Sequence, residues 1–277
     1  MANTPHSGGG PLKGLRVVEF AGLGPAPFAC MLLADMGADV VLLDRLGARV
    51  ADRLQIVNRG RTLIHADLKA AEDRDRVLAL LDEADVLVEG FRPGVMERLG
   101  LGPDVVMSRN PRLVYGRMTG WGQDGPLAKS AGHDINYIAL TGALAAMGPQ
   151  DRPMPPLNLV GDYGGGSMYL ALGVLAAVYE ARSSGFGQVV DAAITDGVIQ
   201  LMTHFIAEQQ RGRFVEQREN NMLDGGAPWY GVYPTSDGQH VSVGAIEPQF
   251  FAVFIERLGM DEGWKSVQND KARWSDL

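Results

Sequence analysis

The chain of 277 residues has little cysteine, no long apolar run and an excess of acidic over basic side chains. Its single cysteine, Cys30, excludes a disulfide within the chain and favours a reducing, cytoplasmic location. The longest apolar stretch, residues 168–179, is too short to cross a bilayer. A net charge of −8 argues against nucleic acid as a general partner. It still allows an anionic small molecule, because such a ligand responds to the local field.

The remaining composition, 46% hydrophobic and 21% charged with 36 glycines, is typical of a globular α/β protein. Residues 1–10 lack the charged start and apolar middle of a signal peptide and are predicted to form a disordered tail. After this tail, short β-forming runs alternate with helical stretches, as in a parallel sheet covered by helices. Strands are predicted at residues 15–20, 40–43, 62–66, 85–88 and 113–118, and helices at 27–36, 77–83 and 95–99.

This pattern predicts a Rossmann-like, doubly wound α/β domain over residues 11–195. A loop-rich region, residues 121–162, precedes a buried helix that we expect to open at Gly164 and to run to about Arg182. A strand follows at 188–194. Residues 196–228 are predicted as a helical linker with a helix at about 197–210. Residues 229–277 are predicted to begin a smaller α+β domain, with a hairpin at 230–243 and a helix at 248–258.

Two motifs carry alternative interpretations. Gly22 and Gly24 follow a strand as in a dinucleotide-binding turn, but Pro27 stands where that fingerprint needs its third glycine, which argues against a nicotinamide cofactor. Six basic residues, several of them just past predicted strand ends, suit the phosphates of a ligand or form a solvated surface. They are Arg45, Arg59, Arg61, Lys69, Arg92 and Arg98.

Three ionisable residues are candidates for chemistry. His133 lies in the sequence GHDINY, where it is either a general base or a structural hydrogen-bonding residue. Asp162, in GDYGGG, either caps the following helix or acts beside glycine amides that hold an enolate oxygen. Glu247 precedes Pro248 and by itself indicates only a helix start.

Taken together, several segments resemble the α-methylacyl-CoA racemases within the family III CoA-transferases. The resemblance runs from Pro11 to Leu277, and its most specific stretches include GLRVVEFAGLGPAP, FRPGVMERLGLGP, RMTGWGQDGP, GHDINY, PPLNLVGDYGGGS and NMLDGGAPWY. It implies that residues 11–195 bind CoA, and that the enzyme is an isomerase of lipid and fatty acid metabolism. It also implies an intertwined homodimer and a small domain that normally continues beyond the point where this chain ends.

The resemblance also implies roles for individual residues. His133 and Asp162 would be the two catalytic bases, and Glu247 would orient His133. The reaction would interconvert (2R)- and (2S)-2-methylacyl-CoA thioesters through an enolate, with no metal and no cofactor, since CoA is part of the substrate. CoA contacts are implied at Arg45, Ala66, Asp67, Leu68, Lys69, Gly90, Phe91, Arg92, Arg98, Gly132, Asp134, Ile135, Asn136 and Tyr137.

Two other functions fit the same residues. In a family III CoA-transferase, the aspartate that matches Asp162 is a nucleophile that forms a mixed anhydride and then a CoA thioester. An inactive acyl-CoA-binding protein is the alternative that is not an enzyme. The sequence does not distinguish among acyl chains.

Overall fold

The computed structural model describes residues 9–47 and 56–277, so residues 1–8 of the predicted tail lie outside the described part. Two compact units are present. Unit 1 contains the described residues up to Thr141 together with Leu157–Leu201, and unit 2 contains Gly142–Pro156 and Met202–Leu277. No helix in the described ranges has the length and hydropathy that a membrane span requires.

Unit 1 is built on a parallel sheet of six strands in the order β3-β2-β1-β4-β5-β6. The predicted α/β fold is therefore confirmed. Buried aliphatic and aromatic side chains of the central strands form the core, and both β4 and β5 are buried along their whole length. The strands are β1 (Arg16–Phe20), β2 (Asp39–Asp44), β3 (Arg61–His65), β4 (Val86–Glu89), β5 (Val114–Thr119) and β6 (Val189–Ala193).

Seven α-helices of unit 1 surround this sheet within the described residues. They are α1 (Pro25–Asp35), α2 (Ala71–Asp82), α3 (Val95–Arg98), α4 (Pro103–Arg109), α5 (Asp134–Leu140), α6 (Tyr169–Ser184) and α7 (Ile194–Leu201). The prediction that α6 is buried on nearly every face is wrong, because Leu172 and Tyr179 are 64% and 79% exposed. The helix predicted at residues 197–210 is divided at Met202 into α7 and α8 (Thr203–Gln210), of which α8 belongs to unit 2.

Leu159–Met168 forms a π-helix that leads directly into α6. The prediction that residues 164–166 open the helix is therefore wrong: these glycines lie inside the wider π turns. Their role is close packing. A side-chain carbon added at Gly165 would lie 2.6 Å from Val198 Cγ2, and one added at Gly197 would lie 1.9 Å from the carbonyl oxygen of Gly165. Absence of both side chains lets the π-helix and α7 meet backbone to backbone.

Unit 2 contains the antiparallel hairpin β7 (Tyr230–Pro234) and β8 (His240–Gly244), as predicted, followed by α9 (Pro248–Arg257). Aromatic side chains form its small core, in which the Trp229 ring contacts Phe251 at 5.2 Å and Trp274 at 5.1 Å between centroids. The edge-to-face contact with Phe251 joins α9 to the residue before β7, and the contact with Trp274 joins the C-terminal segment to the same ring.

One ion pair lies deep in unit 1. Arg61 Nε is 2.7 Å from Glu19 Oε2, and both side chains are almost completely buried. Arg61 also donates hydrogen bonds to the carbonyl oxygens of Val57 and Pro27. Burial raises the pKa of Glu19 to about 8, while Arg61 and a hydrogen bond with Cys30 oppose the rise. Arg61 therefore offsets part of the cost of burying the Glu19 carboxyl group in the core.

We expect Arg61→Met to lower the free energy of unfolding by about 3–5 kcal/mol, because it leaves the Glu19 carboxylate buried without its partner. The double variant Glu19→Gln/Arg61→Met should recover much of this loss, because no buried charge remains. Urea denaturation measures both effects. The control is Arg59→Met, which removes the exposed Arg59–Asp35 pair and should change the midpoint little. Equal losses for Arg59→Met and Arg61→Met would contradict this account.

We expect Gly197→Ala to destabilise unit 1 by about 3 kcal/mol, at the upper end for overpacking, since the methyl group would overlap the Gly165 carbonyl. Alanine is the better helix former, so local propensity would act in the opposite direction. Gly22→Ala is the matched control in the same unit, because the nearest atom to the added carbon is 3.9 Å away. A thermal midpoint for Gly197→Ala equal to that of Gly22→Ala would contradict the proposed close approach.

Candidate active site

The carboxyl ends of the parallel strands form one edge of the sheet in unit 1. The strand order reverses between β1 and β4, and open α/β sheets bind ligands at such a position. The loops that follow β1, β4 and β5 meet this edge. The candidate active site of unit 1 is built from these loops, from α5 and from the π-helix.

Asp162 lies in the first part of the π-helix, in a half-buried position. The loop after β1 approaches it: a side-chain carbon added at Gly24 would lie 3.5 Å from Asp162 Oδ2. Asn158 Nδ2 donates a long hydrogen bond of 3.5 Å to the same oxygen. The alternative that Asp162 caps a helix is excluded, because the residue is inside the π-helix and the N-cap position belongs to Asn158.

Burial raises the pKa of the Asp162 carboxyl above its ordinary value, and the negative charge of Asp134 adds to the rise. The hydrogen bond from Asn158 and the charge of His133 act in the opposite direction. A carboxyl group with a raised pKa exchanges protons more readily near neutral pH than an exposed aspartate does.

His133 is the N-cap of α5, with an exposed side chain. Its backbone N–H donates to Asn136 Oδ1 at 3.0 Å, which fixes the start of the helix. Next to it, buried Asp134 accepts a hydrogen bond of 2.6 Å from the backbone N–H of Asp162. The Asp134 carboxylate thus joins the start of α5 to the π-helix, and it brings the two predicted bases into one site.

Gly161 makes this junction possible. A side-chain carbon added at Gly161 would lie 2.4 Å from Asp134 Oδ2, which is too close for any residue with a Cβ. Ser167, which is fully buried, fixes the other end of the π-helix, since its Oγ lies 2.8 Å from the carbonyl oxygen of Pro25. Gly161, Gly165 and Gly166 thus leave room for close packing. The role of the glycine amides in holding an enolate oxygen stays a prediction.

Tyr137 is a residue of α5 and lies near the two predicted bases. Its ring is buried and packs edge-to-face on Trp121, with 4.7 Å between centroids. Gly120 and Gly132 leave space for the ring, because a carbon added at either would lie within 3 Å of it. Burial and the charges of Asp162 and Asp134 raise the pKa of the Tyr137 hydroxyl, so it stays protonated near neutral pH.

The residues with predicted CoA contacts outside this loop follow β2, β3 and β4 at the same edge of the sheet. Arg45 comes directly after β2, and its carbonyl oxygen lies 3.2 Å from His65 Nδ1 at the end of β3. Ala66, Asp67, Leu68 and Lys69 follow β3, while Gly90, Phe91 and Arg92 follow β4. Arg98 ends α3, and the side chains of Arg45, Lys69, Arg92 and Arg98 are all exposed.

Two members of the predicted basic set bind carboxylates of the protein, and burial excludes a ligand role for Arg61. Arg61 begins β3 at the amino end of the strand and is held by Glu19 in the core. Arg59 donates two hydrogen bonds to the carboxylate of Asp35. Spacing alone could not separate these arginines from Arg45 and Arg92.

Glu247 belongs to unit 2, where it is the exposed N-cap of α9 and its carbonyl oxygen accepts from the N–H groups of Phe250 and Phe251. Its proposed orientation of His133 stays a prediction. Among the described residues, no group of three or more histidine, cysteine, aspartate or glutamate side chains could hold a metal ion.

Sequence reasoning missed Asn158 and Trp121 as residues of the site. Asn158 precedes the π-helix by one residue and is four residues before Asp162, a separation that signals proximity only if that segment is helical. Trp121 was assigned only to a loop-rich region. The contact between Trp121 and Tyr137 depends on the space left by Gly120 and Gly132, which are twelve residues apart. The local sequence pattern does not indicate this contact.

Comparison with known proteins identifies the family. The model for CoA-transferase family III matches residues 12–275. Curated relatives named α-methylacyl-CoA racemase are 44% identical in Mus musculus and 42% identical in Homo sapiens, each over 267 residues that cover 96% of this chain and 69% of the relative. The crystal structure of Rv3272 from Mycobacterium tuberculosis aligns with a TM-score of 0.75 and 29% identity, covering 96% of this chain and 71% of that one. The chain belongs to CoA-transferase family III.

Proposed function

We propose that this protein is an α-methylacyl-CoA racemase that interconverts (2R)- and (2S)-2-methylacyl-CoA. The observation that carries the proposal is the pair of ionisable groups joined through Asp134: exposed His133 and half-buried Asp162, in one site within unit 1. Similarity to the mouse and human racemases over nearly the whole chain supports the same reaction.

In the proposed reaction, one base removes the α-proton of the thioester and leaves an enolate. The other base donates a proton to the opposite face of the α-carbon, so the product is the other epimer. The bases then exchange roles for the reverse direction. The substrate C–H bond and the N–H or O–H bond of the donating base are broken, and a new C–H bond and a bond between hydrogen and the accepting base are formed. No oxidation state changes, so we propose that the reaction needs no metal and no redox cofactor.

The two groups must start in opposite protonation states, since one accepts a proton while the other gives one. Burial and Asp134 favour the protonated form of Asp162, while a positively charged His133 favours its ionised form. The charge state of the Asp162 carboxyl therefore responds to a charge on His133. Such a response suits a site that must work in both directions.

The CoA part of the substrate would bind along the carboxyl edge of the sheet. Arg45, Lys69, Arg92 and Arg98 are exposed there and are the residues that we propose contact its phosphates. The acyl chain would point toward Asp162 and His133.

We expect His133→Ala and Asp162→Ala each to reduce epimerisation of a 2-methylacyl-CoA by about 10²–10⁴-fold, because each variant lacks the base for one face. Each should retain slow exchange of the α-proton with deuterated water in the one epimer that its remaining base serves. Chiral analysis and mass spectrometry follow both processes. His240→Ala and Asp151→Ala, at exposed positions of unit 2, are the matched controls and should keep full activity.

The outcomes separate the alternatives. Full racemisation by either alanine variant would contradict the two-base mechanism. A hydroxylamine-trapped acyl group on Asp162, together with transfer of CoA to a free acid, would identify a CoA-transferase instead. CoA binding without exchange in the unmodified protein would identify a binding protein.

We propose further that the active form is a homodimer in which Glu247 of one subunit orients His133 of the other. Mixing the inactive variants His133→Ala and Glu247→Ala should then restore part of the activity. In a mixed dimer, one site combines an intact His133 with an intact Glu247. Light scattering measures the dimer, and failure of mixed dimers to regain activity would contradict pairing across subunits.

A further inference from the structure

Arg117 lies on β5 beneath the carboxyl edge of the sheet, and it binds two carboxylates. Its Nε donates to Glu89 Oε1 at 2.8 Å, and its Nη1 donates to Glu97 Oε1 at 2.8 Å. Nη2 adds a longer bond of 3.3 Å to the other oxygen of Glu97. The guanidinium also lies 5.6 Å from the centre of the Tyr115 ring. Each of the three guanidinium nitrogens therefore donates a hydrogen bond inside unit 1.

The two carboxylates stand at either end of one short segment. Glu89 is the last residue of β4, and its second oxygen accepts a hydrogen bond of 2.7 Å from the backbone N–H of Phe91. Glu97 lies in the single turn of α3, next to Arg98. Arg117 thus ties down residues 90–98 at their beginning through Glu89 and at their end through Glu97.

This arrangement has a cost that packing alone does not explain. Arg117 and Glu89 are 6% and 1% exposed, and taking both charges out of water is unfavourable unless their geometry is held well. Burial raises the pKa of Glu89, whereas Arg117 lowers the pKa of the more exposed Glu97. Apolar side chains would fill the same space without this cost. The ionic network does something that they would not: it fixes the path of residues 90–98 relative to the sheet.

We propose that Arg117 is a positioning residue for acyl-CoA, which holds residues 90–98 so that Gly90, Phe91, Arg92 and Arg98 meet the nucleotide end of the ligand. This inference rests on the proposed function, since it assumes that these four residues contact CoA. Arg117 itself, being buried, does not touch the ligand. Its effect should appear in binding of CoA and leave the proton transfer at His133 and Asp162 unchanged.

Glu97→Gln is the most informative variant. Glutamine has the size of glutamate but no charge. Because the Glu97 side chain is exposed, we expect the substitution to change the stability of the fold little. The bond between Arg117 and Glu89 remains. We expect the dissociation constant of free CoA, measured by isothermal titration calorimetry, to rise on the order of tenfold, with the KM for acyl-CoA following it. The kcat should stay within about twofold of the unmodified value.

Arg117→Lys is the second variant. A lysine has one ammonium group in place of the guanidinium fork, so it can hold one of the two carboxylates but not both in their present positions. It should weaken CoA binding at least as much as Glu97→Gln. The matched control is Asp82→Asn, which breaks a comparable two-bond pair with Arg109 between α2 and α4, away from the site. This control should leave the CoA dissociation constant unchanged.

The inference is overturned if Glu97→Gln binds CoA as Asp82→Asn does. It is also overturned if Glu97→Gln lowers kcat while binding is unchanged, or if the unmodified protein does not bind CoA. Binding of CoA by the unmodified protein without racemisation would instead contradict the proposed function alone. Should Arg117→Lys fail to fold, Glu97→Gln decides the question by itself.

Discussion

The architecture of unit 1 depends on one close approach, in which the backbone of the π-helix rests directly on the backbone of α7 at Gly165 and Gly197. The π-helix has a larger radius than an α-helix, so it would carry Asp162 away from the sheet if side chains separated the two helices. With glycine on both sides, the segment from Leu159 sits low against the carboxyl edge. The absence of side chains at Gly165 and Gly197 therefore determines where the π-helix places the Asp162 carboxylate.

Several carboxylates lie at this same edge, where uncompensated negative charge would repel an anionic thioester. Glu89 and Glu97 are bound to Arg117, and Asp134 accepts the amide of Asp162. Most of this charge is thus compensated from within. The exposed side chains that face outward from the loops after β2, β3 and β4 include Arg45, Lys69 and Arg92. A ligand approaching from solvent meets these cations, while Glu89 and Asp134 are buried and Glu97 is paired with Arg117.

Much of the sheet could be predicted because its signal is local. Runs such as residues 16–20 and 86–89 are rich in β-branched side chains, and each became a strand within two residues of its predicted bounds. The predicted helix boundaries were wrong where a tertiary contact determines the boundary. Glycines at 164–166 suggest a helix start to any local rule, yet they lie within a π-helix whose wide turns are stabilised by α7. The polar segment GHDINY gave no apolar periodicity, so α5 was not predicted.

The candidate site shows the same division. His133 and Asp162 are 29 residues apart in sequence, and only the resemblance to a family joined them before the structure did. Asp134 makes the physical connection between them, whereas the resemblance implied for it only a contact with CoA. Arg45 and Arg61 are both basic residues near strand ends. Arg45 follows the carboxyl end of β2, whereas Arg61 lies at the amino end of β3.

Cys30, the only thiol of the chain, is fully buried on α1 beside the Glu19–Arg61 pair, and burial raises its pKa well above the ordinary value. In the native structure an alkylating reagent cannot reach the Cys30 sulfur, and the raised pKa keeps the thiol protonated. Its modification therefore requires the layer between α1 and the sheet to open, and the rate of labelling records how often that happens. The same property leaves the surface free of reactive sulfur. A cysteine introduced at any exposed position would then be the one site that takes up a fluorophore or a spin label in the native protein.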